Sequence, residues 1–365
     1  MRLIFAIILI LHGLIHLMGF VKAFKLAEVS QLSMNISRAA GVAWLLAAVI
    51  LIVTSIAFLL KKEWWWMIGI LALLLSQVLI ILYWSDAKFG TVANIILLIG
   101  IVLSFSHWQF NASVKREVKG FFPLVTEQTG KITAEQLANV PPVVEKWLRR
   151  SHLLGKNPIT SAYFVQSGEM RISPEGKWTP FEAKQWTRTE DAGFIWLAEV
   201  QAPMGMTIAA RDNYTSGKGN MLIKLLSLVP IEDAKGGEID QGAMLRYLGE
   251  LVWYPTAALS DYIAWEGINA TTAKAIMHYG ENTAEALFFF NEQGDVVRVE
   301  ADRYYHQKGG SSLERWVIHL EGVKECEGVA VPARASIHWK LKEGDYHWYK
   351  VEVKEIRYNL QELQL

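Results

Sequence analysis

Residues 39–60 read AAGVAWLLAAVILIVTSIAFLL, without one charged side chain. A helix of that length rises ~33 Å at ~1.5 Å per residue, enough to cross the ~30 Å of hydrocarbon in a bilayer. Three neighbouring runs read the same way: Leu3–Val21, Trp64–Trp84 and Thr91–Phe110. None carries a polar face, so four transmembrane helices are expected rather than four buried helices of a soluble protein. Lys22, Lys25, Arg38, Lys61, Lys62 and Lys88 fall between the runs. Trp64, Trp65, Trp66, Tyr83, Trp84 and Trp108 fall at run ends, where amphipathic rings favour the membrane interface. Run one follows Met1-Arg2 as a signal peptide would. Three more spans follow it and no small-x-small site precedes Lys25, so it reads as a retained helix.

Flanking Lys and Arg set the orientation. Six (Arg2, Lys61, Lys62, Lys115, Arg116, Lys119) lie on the side of the N-terminus and four (Lys22, Lys25, Arg38, Lys88) on the other, which leans towards a cytoplasmic soluble part. His12 and His16 share a face of run one, and His107 closes run four. Ionisable groups inside a bilayer mark functional sites by default. Antiparallel runs put His107 and His16 at different depths, and neutral imidazole bonds readily to a neighbouring helix, so packing contacts are expected ahead of a metal or haem site.

The period changes from about Ser161 onward. Trp316, Ile318 and Leu320 alternate with Val317, His319 and Glu321; Ile337, Trp339 and Leu341 alternate with His338 and Lys340; Tyr349, Val351 and Val353 alternate with Lys350, Glu352 and Lys354. Period-two alternation marks antiparallel strands with one covered face. Further strands are expected at Tyr163–Arg171, Glu182–Thr189, Phe194–Gln201, Met206–Tyr214, Thr272–Tyr279, Ala286–Phe290 and Val296–Tyr304. Pro174-Glu175-Gly176, Ser216-Gly217-Lys218-Gly219, Gln293-Gly294-Asp295 and Glu343-Gly344-Asp345 supply turns between them. Glu238–Trp253 interrupts the meander with an apolar stripe at helical spacing (Met244, Leu245, Leu248, Leu251, Val252). Such a helix is expected on the concave side of the sheet. The fold class is therefore α+β: a four-helix transmembrane part over 1–110, a linker and amphipathic helix over 111–155 that begins with the lead-out Asn111–Lys131, and a mostly antiparallel β domain over 156–365.

Zero net charge excludes the basic stripe of a nucleic-acid binder, and the lone Cys326 excludes an intrachain disulfide and a Cys-rich zinc site. No zinc helix, nucleophile elbow, phosphate loop or dinucleotide fingerprint is present, so no cofactor is expected; Ser216–Gly219 lacks the spacing of a phosphate loop. His278, His306, His319, His338 and His347 scatter over the strands. The candidate site is polar and aromatic. Arg246, Glu250, Trp253 and Tyr254 lie on or beside the inserted helix, Trp265 on the next strand, Arg211, Asp212 and Tyr214 before a glycine turn, and Asp302, Arg303 and Tyr304 at a strand end. The residues expected to touch a ligand are Asp212, Tyr214, Arg246, Glu250, Trp253, Tyr254, Trp265 and Arg303. Arginines and carboxylates between aromatic walls suit a ligand with an apolar body and a polar head. They also suit acid–base chemistry with Glu250 or Asp212 as the base. The plain alternative is a surface Arg246–Glu250 pair with the aromatics in the core.

Gly168-Glu169-Met170-Arg171, Trp178–Ala183, Phe194-Ile195-Trp196, Arg246–Glu250 with Trp253-Tyr254-Pro255, and Gly328–Pro332 resemble segments of an uncharacterised family of bacterial membrane-anchored proteins. Gly328-Val329-Ala330-Val331-Pro332 and the ending Ile356-Arg357-Tyr358-Asn359 are also similar to the C-terminal hairpin of the LolA-like lipoprotein-carrier superfamily. That second resemblance implies a curved half-barrel sheet with helices on its concave side, a lipid or lipoprotein ligand, and a site outside the cytoplasm, against the charge count. The expectation is a multi-pass protein of the bacterial cell membrane whose soluble domain holds a lipid, lipoprotein or other amphiphile. An enzyme acting on a membrane or envelope substrate and a structural or sensory module are the alternatives.

Overall fold

The computed structural model describes residues 2–122, 130–307, 309–360 and 364. The chain forms two compact units, Met1–Ala112 and Ser113–Leu365.

The first unit holds α1 (Arg2–Ala23), α2 (Arg38–Leu59), α3 (Trp65–Leu82), the single turn α4 (Trp84–Ala87) and most of α5 (Gly90–Phe121). Of these, α1, α2, α3 and α5 are long and apolar enough to cross a membrane. Small residues let the helices touch. A Cβ at Gly19 would fall inside the Trp44 ring, and one at Gly41 would collide with Ala23. Ser37 caps α2 by accepting from the Ala40 amide at 3.2 Å, and Asp86 holds the α1–α2 loop through the amides of Ser33 and Met34 at 2.6 and 2.9 Å. The two buried histidines join a polar seam between helices. His12 Nε2 lies 3.0 Å from Asn94 Oδ1 and 3.1 Å from Ser76 Oγ, and His16 Nδ1 lies 3.0 Å from the His12 carbonyl. His107 meets Asn111 one turn later, away from that seam.

The second unit starts within α5. The run that sequence ends at Phe110 stays helical to Phe121; residues 123–129 of the expected lead-out lie outside the described residues. Thr133 and Gln136 form a capping box on α6 (Ala134–Ala138), and Pro142 opens α7 (Pro142–Arg150) at its first turn, where a missing amide costs nothing. Thirteen strands follow: β1 (Ser161–Met170), β2 (Thr179–Arg188), β3 (Gly193–Gln201), β4 (Thr207–Thr215), β5 (Lys218–Leu225), β6 (Val229–Lys235), β7 (Ile263–Asn269), β8 (Thr272–Tyr279), β9 (Asn282–Phe290), β10 (Val296–Gln307), β11 (Gly310–Cys326), β12 (Val329–Leu341) and β13 (Gly344–Tyr358). Between β6 and β7 come α8 (Gly237–Gly249) and two 3₁₀ turns, Glu250–Trp253 and Pro255–Leu259. The sheet is antiparallel throughout, in the order β6-β5-β4-β3-β2-β1-β13-β12-β11-β10-β9-β8-β7. It is two meanders joined where β1 meets β13. It curls into a half-barrel, since ends of strands far apart in that order touch: Asn282 Nδ2 after β8 donates to the Gly217 carbonyl after β4 at 3.0 Å.

The concave face holds the core. Phe164, Phe194, Tyr214, Phe288, Val299, Trp316, Ile318 and Val353 line it, and α7, α8 and the two 3₁₀ turns cover much of it. From α8 and the first turn, Met244, Leu245, Leu248 and Leu251 are at most 1% exposed. The expected helix therefore packs where the sequence puts it, but it ends at Gly249 and tightens into 3₁₀ geometry, which lets Trp253 and Tyr254 turn inward. On the outer face, the end of α5 packs by Glu117 on Arg211 at 3.3 Å and by Phe121 under the Arg188 guanidinium at 4.6 Å.

Gly168 sits at the junction of the two meanders, opposite Val351. A Cβ there would run into the Lys350 carbonyl and lie 2.8 Å from the Phe181 ring. Gly168→Ala is expected to force β1 and β13 apart at a cost of about 1–3 kcal/mol. Thermal unfolding of the full chain in detergent should show a Tm lower by several degrees; an unchanged Tm would mean that the junction absorbs the methyl group.

Candidate functional site

β2, β3 and β4 run side by side, and their register sets Gln185, Trp196 and Asp212 in one row on the concave face. Arg246 reaches that row from α8. Its Nη1 donates to Asp212 Oδ2 at 2.7 Å, its Nη2 to Gln185 Oε1 at 2.8 Å and its Nε to Glu250 Oε1 at 2.9 Å. Gln185 Nε2 donates in turn to Glu250 Oε2 at 2.6 Å. The guanidinium lies over the rings of Phe194 and Trp196, at 4.6 and 5.0 Å. The Arg246 side chain is 16% exposed, Asp212 18% and Glu250 10%, so the cluster is largely buried and reaches solvent only at its edge. Glu250 and Asp212 hold the Arg246 cation firmly against its own desolvation and push its pKa above the usual arginine range. Burial raises the Tyr349 hydroxyl, so the phenol beside the cluster stays neutral.

Four of the eight candidates thus converge. Asp212, Arg246 and Glu250 are bonded, and Arg303 of β10 lies within their field. The i, i+4 pair Arg246–Glu250 is part of a largely buried network. The other four candidates sit elsewhere. Tyr214 is fully buried among Phe194, Tyr247 and Tyr279. Trp253 Nε1 donates to the Pro332 carbonyl at 3.0 Å, Tyr254 Oη to the Tyr247 carbonyl at 2.8 Å and Trp265 Nε1 to the Ala258 carbonyl at 2.9 Å. Their polar ends are used within the fold. Gln185, Trp196 and Tyr349 belong to the site and were missed, because only sheet register brings them to the helix; Gly242 of α8 was missed because its role is to make room for Arg303.

Two other places gather polar side chains. An open pocket of about 460 Å³ lies beside the start of α8, lined by Asn213, Lys218, Asn220, Lys235 and Asp240 among others. There Asp240 is taken by the Gly219 amide at 2.7 Å and Lys218 at 3.0 Å, and Ser216–Gly219 is the β4–β5 turn Ser216-Gly217 with the first two residues of β5. On the outer face, His338 stacks on His347 at 4.1 Å and meets His319 edge-on at 5.1 Å. Among the described residues no group of three or more His, Cys, Asp or Glu is arranged to hold a metal ion.

All three imidazoles are held below their ordinary pKa by partial burial and neighbouring cations, His338 down to about 4 by burial, His347, His319 and Lys340 against Asp345. The folded state therefore binds fewer protons than the unfolded one between about pH 6.5 and 4. Stability from this stack is full above that window and is lost as pH falls through it. His338→Gln should flatten the fall in Tm between pH 6.5 and 4 relative to the parent chain. The central cluster gives a second expectation. Arg246→Ala strands two carboxylates and an amide, which should cost about 3 kcal/mol and lower Tm by roughly 6–12 °C. A loss under a degree would show that Asp212 and Glu250 reach water unaided.

Residues 130–351, more than half of the chain, match a family of unknown function, DUF6544. No curated protein matches the chain. Among solved structures it is similar to a domain from Vibrio parahaemolyticus described as an outer membrane lipoprotein-sorting protein (10% identity, TM-score 0.35, covering 62% of this chain and 95% of that one). It is also similar to a DUF1329 family protein from Desulfovibrio piger (10%, 0.35, 60% and 93%) and a LolA superfamily protein from Nitrosomonas europaea (12%, 0.34, 64% and 95%).

Proposed function

Since this chain belongs to the DUF6544 family of unknown function, we propose a function from its geometry: a membrane-tethered domain that binds an amphiphile, whether a lipid, a lipoprotein acyl chain or another molecule with an apolar body and a polar head. The observation that carries the reading is the mixed lining of the concave face at the polar cluster, where the side chains of Arg246, Asp212 and Glu250 still reach solvent at 10–18% exposure. There Arg246 and Arg303 stand among Phe194, Trp196, Trp316 and Trp339, so charge and apolar wall are offered at one place. α7 and α8 fill the rest of the cradle, so the ligand lies against this ring-lined part and not along the whole sheet. Four helices with mean hydropathy of 1.8 to 2.7 support the bilayer as anchor and as the source of the ligand.

An acid–base enzyme gains less from the same geometry. Glu250 has Arg246 on one oxygen and Gln185 on the other, and Asp212 is held by Arg246, so neither carboxylate is poised to take a proton from a substrate. The six-to-four excess of flanking Lys and Arg favours a cytoplasmic domain. A reporter fused to the C-terminus and active only outside the cytoplasm would reverse that side.

Native mass spectrometry of the full chain released from mild detergent should show a co-purifying amphiphile. Trp196→Ala, which removes one ring wall, should lower its occupancy several-fold. A chain that carries no amphiphile and takes up none from added lipid would sink the reading.

A further inference from the structure

Arg303 lies on β10 with its side chain on the concave face. Its guanidinium rests over Trp316 at 4.9 Å and Trp339 at 5.9 Å. α8 passes on its other side so closely that a Cβ at Gly242 would come within 3.1 Å of Nε and 3.3 Å of Nη2. Glycine at 242 is what leaves room for it. Among the described residues Arg303 makes no hydrogen bond and no ion pair, although a guanidinium presents five donors. Arg246, by contrast, has an acceptor on each of its three nitrogens. The nearest carboxylates in the field, Asp212 and Glu250, are the ones that Arg246 holds. Burial without a bonded anion pulls the Arg303 pKa down to about 10. A positive fork fixed between two indoles and a helix, with its donors unused, is a receptor for a planar or tetrahedral oxyanion.

We propose that Arg303 recognises an anionic group of the ligand, a carboxylate or a phosphate, while the Trp316 and Trp339 rings meet the apolar part next to it. The proposal rests on the amphiphile reading and adds that the head is an anion. The same chemistry is offered by a lipid head and by a free anion. A lysine in place of Arg303 would keep the charge and lose the fork.

The test uses the full chain in an uncharged maltoside detergent, as the parent and as Arg303→Gln and Arg303→Lys. Three probes are titrated, followed by tryptophan fluorescence and calorimetry: oleate, monoolein (the same acyl chain with an uncharged head) and inorganic phosphate. The expected result is oleate binding at least tenfold weaker in Arg303→Gln, intermediate in Arg303→Lys, and monoolein binding alike in all three. If Arg303→Gln does not fold, a weakened oleate affinity with unchanged monoolein affinity in Arg303→Lys carries the same meaning. Equal preference for oleate and monoolein in the parent chain, or oleate affinity untouched by either substitution, overturns the role of Arg303 and leaves the amphiphile reading standing. Phosphate binding that needs Arg303, with neither amphiphile bound, keeps the anion receptor and overturns the amphiphile. No binding of any probe overturns both.

Discussion

A charged side chain brought to the covered side of a sheet must be neutralised where it lands, because its desolvation is not returned by packing. Arg246 sets that condition here. Its three acceptors come from β2, β4 and the turn after its own helix, so satisfying them fixes how α8 is rotated and how far along the sheet it lies. Once α8 is fixed, Met244, Leu245 and Leu248 have one place to go. The 3₁₀ turn at Glu250 brings the carboxylate round to Arg246 and sends Trp253 and Tyr254 into the core. The apolar stripe supplies most of the energy of docking, and the ion cluster selects the register.

The same condition explains why the site is where it is. α8 packs on β4, β5, β9 and β10, and Arg246 reaches from it to the polar cluster. Beside Arg246 the face continues as the rings of Phe194, Trp196, Trp316 and Trp339, each at most 6% exposed. A largely buried polar network that water still reaches at one edge, next to indoles, is an unusual arrangement for a surface that meets only solvent. It is a natural one for a surface that meets a molecule with two kinds of chemistry.

Much of the architecture was legible in sequence because it rests on periodicity. The four apolar runs became helices, and β8 spans the stretch Thr272–Tyr279 that alternation marks out. β5 and β6 were missed for a physical reason. β6 is an edge strand exposed along almost its whole length, so it has no buried face to impose alternation, and Pro230 breaks the pattern further. The site was half legible. Arg246 and Glu250 are one helical turn apart and can be paired on paper, and Asp212 and Arg303 stand out as charges near strand ends. Gln185 gives no such sign. It joins the cluster through a cross-strand row, and pairing partners across an antiparallel sheet are not written in local sequence. Trp253, Tyr254 and Trp265 show the converse. An aromatic with a polar tip looks the same in sequence whether that tip faces a ligand or a backbone carbonyl.

The order of the sheet has one more consequence. Every neighbouring pair in the sheet is consecutive in the chain except the middle one, where β1 lies against β13, while the consecutive β6 and β7 form the two outer edges. β13 leaves the ribosome after the twelve other strands, yet it is a central strand. Until it arrives, β1 and β12 each expose an unpaired edge, and the two meanders are separate half-sheets. Their curl brings β2–β4 and β10 to the same helix, so Arg303 joins the field of the Arg246 cluster only once the second meander docks. The domain stays in two pieces until β13 docks, a long-range closure that comes late in folding.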